Sequence, residues 1–126
     1  MVSKTGLSNA LIEKCKAKLL KMKADCLNRA KQAAQNFNQI DKSTGDEIDQ
    51  SSAHQEEHAF LVNQTRLKSQ LLEIEFALSR IEQGFYGVCE ETMEPIEEER
   101  LLAIPYTRLS IEGAEIREST TRKFAR

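Results

Sequence analysis

Asp46 and Asp49 are the residues of this chain best placed to do chemistry. They stand three apart just after Gly45, so on a helix they are neighbours on one face. An acid in the first turn of a helix is worth about 0.3–1 kcal/mol through the dipole, and that accounts for Asp46. It accounts poorly for Asp49, which lies past the first turn, but from spacing alone an acid-decorated helix start is still the better reading of the pair. His54 and His58, one turn apart with Glu57 between them, form half of a metal site with no third His or Cys in view. They read as exposed helix residues. The three cysteines, 15, 26 and 89, are an odd and scattered set, which fits a reducing cytoplasm and no disulfide framework. Cys15 and Cys26 fall at core spacing and read as small hydrophobes.

The acids need a helix to present them, and the sequence supplies a long one. Phe60, Leu67, Leu71, Ile74, Leu78, Ile81 and Phe85, with Gln64 as the one polar rung, climb in alternating steps of four and three. That is heptad spacing, with every rung on one helix face. Thr44 followed by Glu47 is a capping box, so this helix is expected from Thr44 to Gln83, with Gly84 as its stop. A first helix is expected from Ser8, its N-cap, to Ile40. Its stripe is Ile12, Leu19, Cys26, Ala33 and Ile40, flanked by Cys15, Leu20, Met22, Leu27, Ala30 and Phe37. Lys14, Lys18 and Lys21 share another face and read as solvated. The turn residues of 41–45 join the two helices into a hairpin.

Past Gly84 the texture changes. Residues 85–92 are short, aromatic and turn-rich, as in an extended segment or small hairpin. Pro95 to Ala103 reads as a short helix with Glu97, Glu98 and Glu99 near its start, ended by Pro105. A last helix is expected over Ser110–Thr120, with the basic residues 122–126 frayed. The expected fold is therefore mainly α: a loose tail at 1–6, a long antiparallel coiled-coil hairpin over 7–83 with its tip at 41–51, and a small globular region with a C-terminal helix over 84–126.

Composition agrees. Among 126 residues only 6% are aromatic, none is Trp, and 30% are charged, which suits long helices in a single domain better than a thick core. The net charge of -2 hides a polarity: residues 1–42 hold nine Lys or Arg against three acids, and residues 46–99 hold three against fourteen. Antiparallel partner helices want that complement. No aromatic residues interleave with the lysines, which argues against a nucleic-acid surface. No apolar run approaches the roughly 20 residues of a membrane span and the N-terminus has no signal-peptide core, so a cytoplasmic protein without membrane contact is expected.

The segment Gly84-Phe85-Tyr86-Gly87-Val88-Cys89, then Ile96, Arg100-Leu101, Ala103 and Pro105, resembles the zinc-finger region of the DksA/TraR family. The acidic pair Asp46-x-x-Asp49 lies at the distance upstream of that family's coiled-coil tip, and the resemblance spans about residues 44–118. It implies a bacterial transcription regulator that binds RNA polymerase, with the globular part on the rim of the secondary channel and the coiled-coil tip inside, near the active site. It implies no sequence-specific DNA binding and no enzymatic activity, and a monomer is expected. The family tip pattern DxxDxA has Ser51 where the alanine stands, and Arg66 falls where the family makes a polymerase rim contact. The runner-up reading is a Gre-like cleavage factor, whose tip carboxylates hold a second magnesium ion for transcript hydrolysis.

The family's four zinc cysteines fall on Cys89, Thr92, Ser110 and Gly113. One thiol, two hydroxyls and a glycine do not make a structural zinc site. A metal-free, cofactor-free variant is expected, closed by packing of Phe85, Tyr86, Leu101, Leu102, Ile104, Tyr106 and Leu109. Family members that respond to the alarmone ppGpp, the signal of the stringent response, hold it with basic residues. The matching positions here are Glu73, Ile104 and Ala114, with Arg100 and Arg108 nearby, so action largely independent of ppGpp at that interface is expected.

Overall fold

The computed structural model of the 126-residue chain describes residues 7–43 and 50–124, and the side chains of 39–43, 50 and 124 are left aside. Four helices follow in order: α1 Asn9–Ser43, α2 Gln50–Gln83, α3 Glu98–Ala103 and α4 Ile111–Phe124. α1 and α2 form the long antiparallel hairpin, and the described residues contain no strand beyond one isolated bridge, Val88 with Pro95. By packing the chain divides into a finger unit, residues 1–21 with 73–126, and a hairpin unit, residues 22–72.

Helix ends follow local chemistry. Ser8 caps α1, its Oγ accepting from the Leu11 N–H at 3.2 Å, a bond worth about 1 kcal/mol over alanine. At the end of α2 Gly84 takes φ 83°, the Gly84 N–H donates to the Ile81 carbonyl (3.2 Å) and the Phe85 N–H to that of Arg80 (3.0 Å). This is the paired carbonyl closure that a left-handed glycine permits. The turn redirects the chain before the heptad ladder reaches its last rung. Phe85, expected in the core, is 52% exposed, and Tyr86 is buried in its place. The Thr44–Glu47 capping box lies outside the described residues; α2 is described from Gln50.

In the finger unit Leu7, Leu11, Cys15 and Leu19 of the first segment pack with Ile74, Ala77, Tyr86, Cys89, Ile96 and Leu101. Burying such side chains stabilises by about 1.5–3 kcal/mol each for the larger ones. Gly87 takes φ 92°, where an L side chain is strained, and a Cβ there would also press on Leu7 Cδ1. Tyr86 donates to the Pro105 carbonyl at 2.7 Å, so its hydroxyl is buried but satisfied. Burial, with a hydrogen bond to Cys15, pushes its pKa well above the usual tyrosine value.

Three expectations are corrected here. α3 begins at Glu98 rather than Pro95, because Pro95 is spent on the bridge with Val88 and Glu97 is still extended (ψ 133°). α4 runs through Arg122 and Lys123 to Phe124, beyond the expected stop at Thr120. The seven-residue series of α1 lies inward as expected, with Leu19 and Cys26 buried and Ile12 and Ala33 half-buried, but two of its expected flanking residues do not. Leu20 and Leu27 are 48% exposed, while Leu11 and Cys15 are buried and Met22, Ala30 and Phe37 half-buried, so residues in steps of 4-4-3 from Leu11 share the inner face.

The hairpin unit packs residues 22–43 of α1 against 50–72 of α2. Cys26 and Leu67 are buried at its centre, and Phe37 stacks on Phe60 with ring centroids 4.4 Å apart and planes 7° apart. No helix among the described residues is long and apolar enough to cross a membrane.

Candidate functional site

Cys89, Thr92, Ser110 and Gly113, the positions that the resemblance assigns to a metal, come together. Ser110 caps α4: its Oγ accepts from the Gly113 N–H at 3.0 Å, and it donates to Cys89 Sγ at 3.4 Å. Glu97 covers the same helix end, its carboxylate accepting from the Ile111 N–H at 3.1 Å. Cys89 is fully buried, on the short segment where its N–H donates to the Glu94 carbonyl at 2.8 Å. Burial pushes the Cys89 thiol up. The hydroxyls and backbone of Ser110 and Thr92 outweigh it and hold the thiol down, to about 6.

Zinc does not fit this donor set. A structural zinc ion takes four S or N ligands at about 2.0–2.3 Å. Here one corner has no side chain, and the space a Cβ of Gly113 would occupy lies 2.3 Å from Cys89 Sγ. The thiol lies against Gly113, and the hydroxyls of Ser110 and Thr92 hydrogen-bond to it. Among the described residues no group of three His, Cys, Asp or Glu is arranged to hold a metal, and the His54–His58 pair is exposed on α2.

Beside this centre, in the finger unit, charges of both signs are paired off. Arg108 donates to the Glu73 carboxylate at 2.9 Å, lies 3.7 Å from that of Glu90, and sits over the Phe76 ring at 5.7 Å. Arg117 reaches Glu90 at 3.8 Å and Glu91 at 3.1 Å. Arg100 donates through Nε to the Leu109 carbonyl at 2.8 Å. Glu73, Arg100, Ile104 and Arg108 line one cavity of about 290 Å³, and Ala114 is half-buried on α4. These pairs are a third or more exposed, so each adds at most about 1 kcal/mol to stability. Their effect is on local charge, which they neutralise.

On the hairpin unit Arg66 is exposed on α2, and Ser51 is exposed in its first turns. Asp46 and Asp49 lie outside the described residues.

Several residues that hold the finger unit closed were not legible in advance. Lys18, expected on a solvated face, donates to the Leu102 carbonyl at 2.8 Å, at the end of α3. Cys15 reaches the Leu101 carbonyl at 3.7 Å, and Arg80 donates to Val88 O at 2.6 Å. All three target backbone carbonyls, which carry no residue-type signal for sequence reasoning to pair with. Of the side chains expected to close the unit, Tyr86 and Leu101 are buried and Leu102, Ile104, Tyr106 and Leu109 are half-buried.

Residues 84–119 match the prokaryotic dksA/traR C4-type zinc finger. An Aquifex aeolicus protein is 37% identical over 112 residues, 86% of this chain and 77% of that protein. The RNA polymerase-binding transcription factor DksA of Caulobacter vibrioides is 31% identical over 116 residues, 92% of this chain and 82% of its own. The solved structure of transcription factor DksA2 from Pseudomonas aeruginosa matches with a TM-score of 0.82 and 30% identity, over 91% of this chain and 88% of that one. With the hairpin, the finger segment and this identity sustained along nearly its whole length, the chain belongs to the DksA/TraR family.

Proposed function

We propose that this protein is a non-enzymatic, monomeric regulator of bacterial RNA polymerase in the cytoplasm. It enters the secondary channel with its hairpin, places Asp46 and Asp49 near the active site, and changes the stability of initiation complexes without reading a DNA sequence. The polymerase-binding part of this reading comes from its relatives. The roles of the hairpin and its acids come from the family resemblance, and the observation that sets this chain apart is the arrangement of the finger unit, in which Arg108 is already paired with Glu73 and Cys89 is held by Ser110.

Both features remove a dependence that the family implies. Without a fitting donor set the finger unit folds on packing and hydrogen bonds alone. The protein is expected to purify with no stoichiometric zinc and to keep its melting temperature in chelator. Elemental analysis giving one zinc per chain, with unfolding on its removal, is the contrary result.

The ppGpp reading follows from the charges. A polyphosphate needs several cations, each charge-assisted bond being worth about 1.5–3 kcal/mol. Here Arg108 is held by a carboxylate and Arg100 by a backbone carbonyl, while Glu73 turns a negative group into the same cavity. Open-complex lifetime at saturating protein, on a polymerase stripped of its own separate ppGpp site, is expected to change little when ppGpp is added. A strong enhancement there overturns the reading.

The same reactions test the whole proposal: the protein must bind purified polymerase and shorten or lengthen open complexes. Stalled elongation complexes separate it from the Gre-like alternative, since a cleavage factor releases short RNA from them and this protein is expected not to.

A further inference from the structure

The hairpin unit contains a polar contact where a coiled coil ordinarily has none. Gln64, the polar rung of the α2 ladder, donates through Nε2 to the Ala30 carbonyl of α1 at 3.1 Å. One turn away Cys26 of α1 donates through Sγ to the Leu67 carbonyl of α2, also at 3.1 Å. The two bonds are reciprocal. Each helix gives one side-chain donor to the other's backbone, so together they tie one turn of α1 to one turn of α2.

Apolar packing alone holds that alignment poorly here. The stripe of α1 in this unit is Met22, Cys26, Ala30, Ala33 and Phe37, stepping 4-4-3-4. That of α2 is Phe60, Gln64, Leu67 and Leu71, stepping 4-3-4. Over these few steps the two average 3.75 and about 3.67 residues, so a slip of one turn would again bring apolar rungs opposite apolar rungs. The facing residues are also small: Cys26 and Ala30 border a cavity of about 340 Å³ whose other walls include Leu27, Leu61, Gln64 and Leu71. A polar residue in such a seam costs stability and in exchange favours the one alignment in which it finds its partner.

We propose that Gln64, seconded by Cys26, is a positioning residue that fixes the register of the two helices in the hairpin unit. It thereby fixes the axial offset at which they deliver the two ends of the connection carrying Asp46 and Asp49. The functional consequence rests on the reading that those acids act on polymerase; the register itself does not.

The two can be tested apart. Phe37 on Phe60 is a built-in register mark, because stacked rings 4.4 Å apart give strong proton–proton cross-relaxation, and the chain has only five phenylalanines to label. Gln64→Leu is expected to raise the melting temperature by about 3–6 °C, since leucine fills apolar space and the Ala30 carbonyl keeps its own helix bond. In the same variant the Phe37–Phe60 cross-peak is expected to weaken or split into more than one set. Open-complex modulation per bound polymerase should fall about tenfold, with affinity inside about threefold. Gln64→Lys, which keeps a long donor, is expected to restore the single cross-peak. A single wild-type cross-peak in Gln64→Leu overturns the proposal, and so does a lowered melting temperature with the cross-peak intact, which makes Gln64 an ordinary stabilising contact. A split cross-peak with unchanged activity leaves the register role standing and overturns the tip reading instead.

Discussion

Replacing Asp46 and Asp49 together by asparagine is expected to abolish the effect of this protein on open-complex lifetime and to leave its polymerase affinity within about threefold. Asparagine keeps the size of the side chain and removes its charge, so the comparison isolates the carboxylates. At the expected helix start Asp46 contributes about 0.3–1 kcal/mol at most, and Asp49, past the first turn, less. That loss is too small to unfold a hairpin whose seam includes buried Cys26 and Leu67 and the stacked Phe37–Phe60 pair. Affinity should come from elsewhere on the surface, and Arg66, exposed on α2, is the residue to test. Arg66→Ala is expected to weaken binding about tenfold, the cost of one interface arginine, while any complex that does form is modulated normally. Binding lost on the tip substitutions, with full activity per complex, reverses this division of labour.

The hairpin was legible in the sequence because it is written in side-chain type. The heptad ladder from Phe60 to Ile81, Ser8 as a cap and Gly84 as a stop each have one strong structural meaning, and each appears where expected. The finger unit was legible only through the resemblance. Of the four positions that the resemblance assigns to a metal, only Cys89 carries a metal ligand, and nothing in the letters says that Ser110 would cap α4 and hold Cys89 with the same hydroxyl. Phe85 misled because the ladder's period continues through it while the backbone does not: a left-handed glycine one residue earlier takes the chain out of the helix. The α1 stripe misled differently. Cysteine and alanine fill so many of its positions that a seven- and an eleven-residue reading both find apolar residues, and burial places both on the inner face while leaving Leu20 and Leu27 outside it.

Gly113→Ala is expected to lower the melting temperature by about 2–10 °C, and the sign of that change carries the argument. Gly113 sits in the first turn of α4 without a positive φ, where alanine ordinarily favours the helix by roughly 0.5–1 kcal/mol. Backbone propensity therefore predicts stabilisation. Packing predicts the reverse, because the new methyl would stand 2.3 Å from Cys89 Sγ and 3.3 Å from Ser110 Oγ and Glu91 Cβ. Cys89 is fully buried, and hydrogen bonds on both its backbone and its sulphur fix it, so it has nowhere to yield. Overpacking of this kind costs about 1–3 kcal/mol, enough to outweigh the helix gain. Cys89→Ala removes the sulphur and frees the space, so the pair should couple. Cys89→Ala with Gly113→Ala is expected to be more stable than the sum of the single changes by at least about 1 kcal/mol, measured by denaturant unfolding. Additive effects, or a Gly113→Ala protein that melts higher than the parent, mean that the thiol does not lie against Gly113. In that case the finger unit is held together by something other than the contact of Cys89 with Ser110 and Gly113.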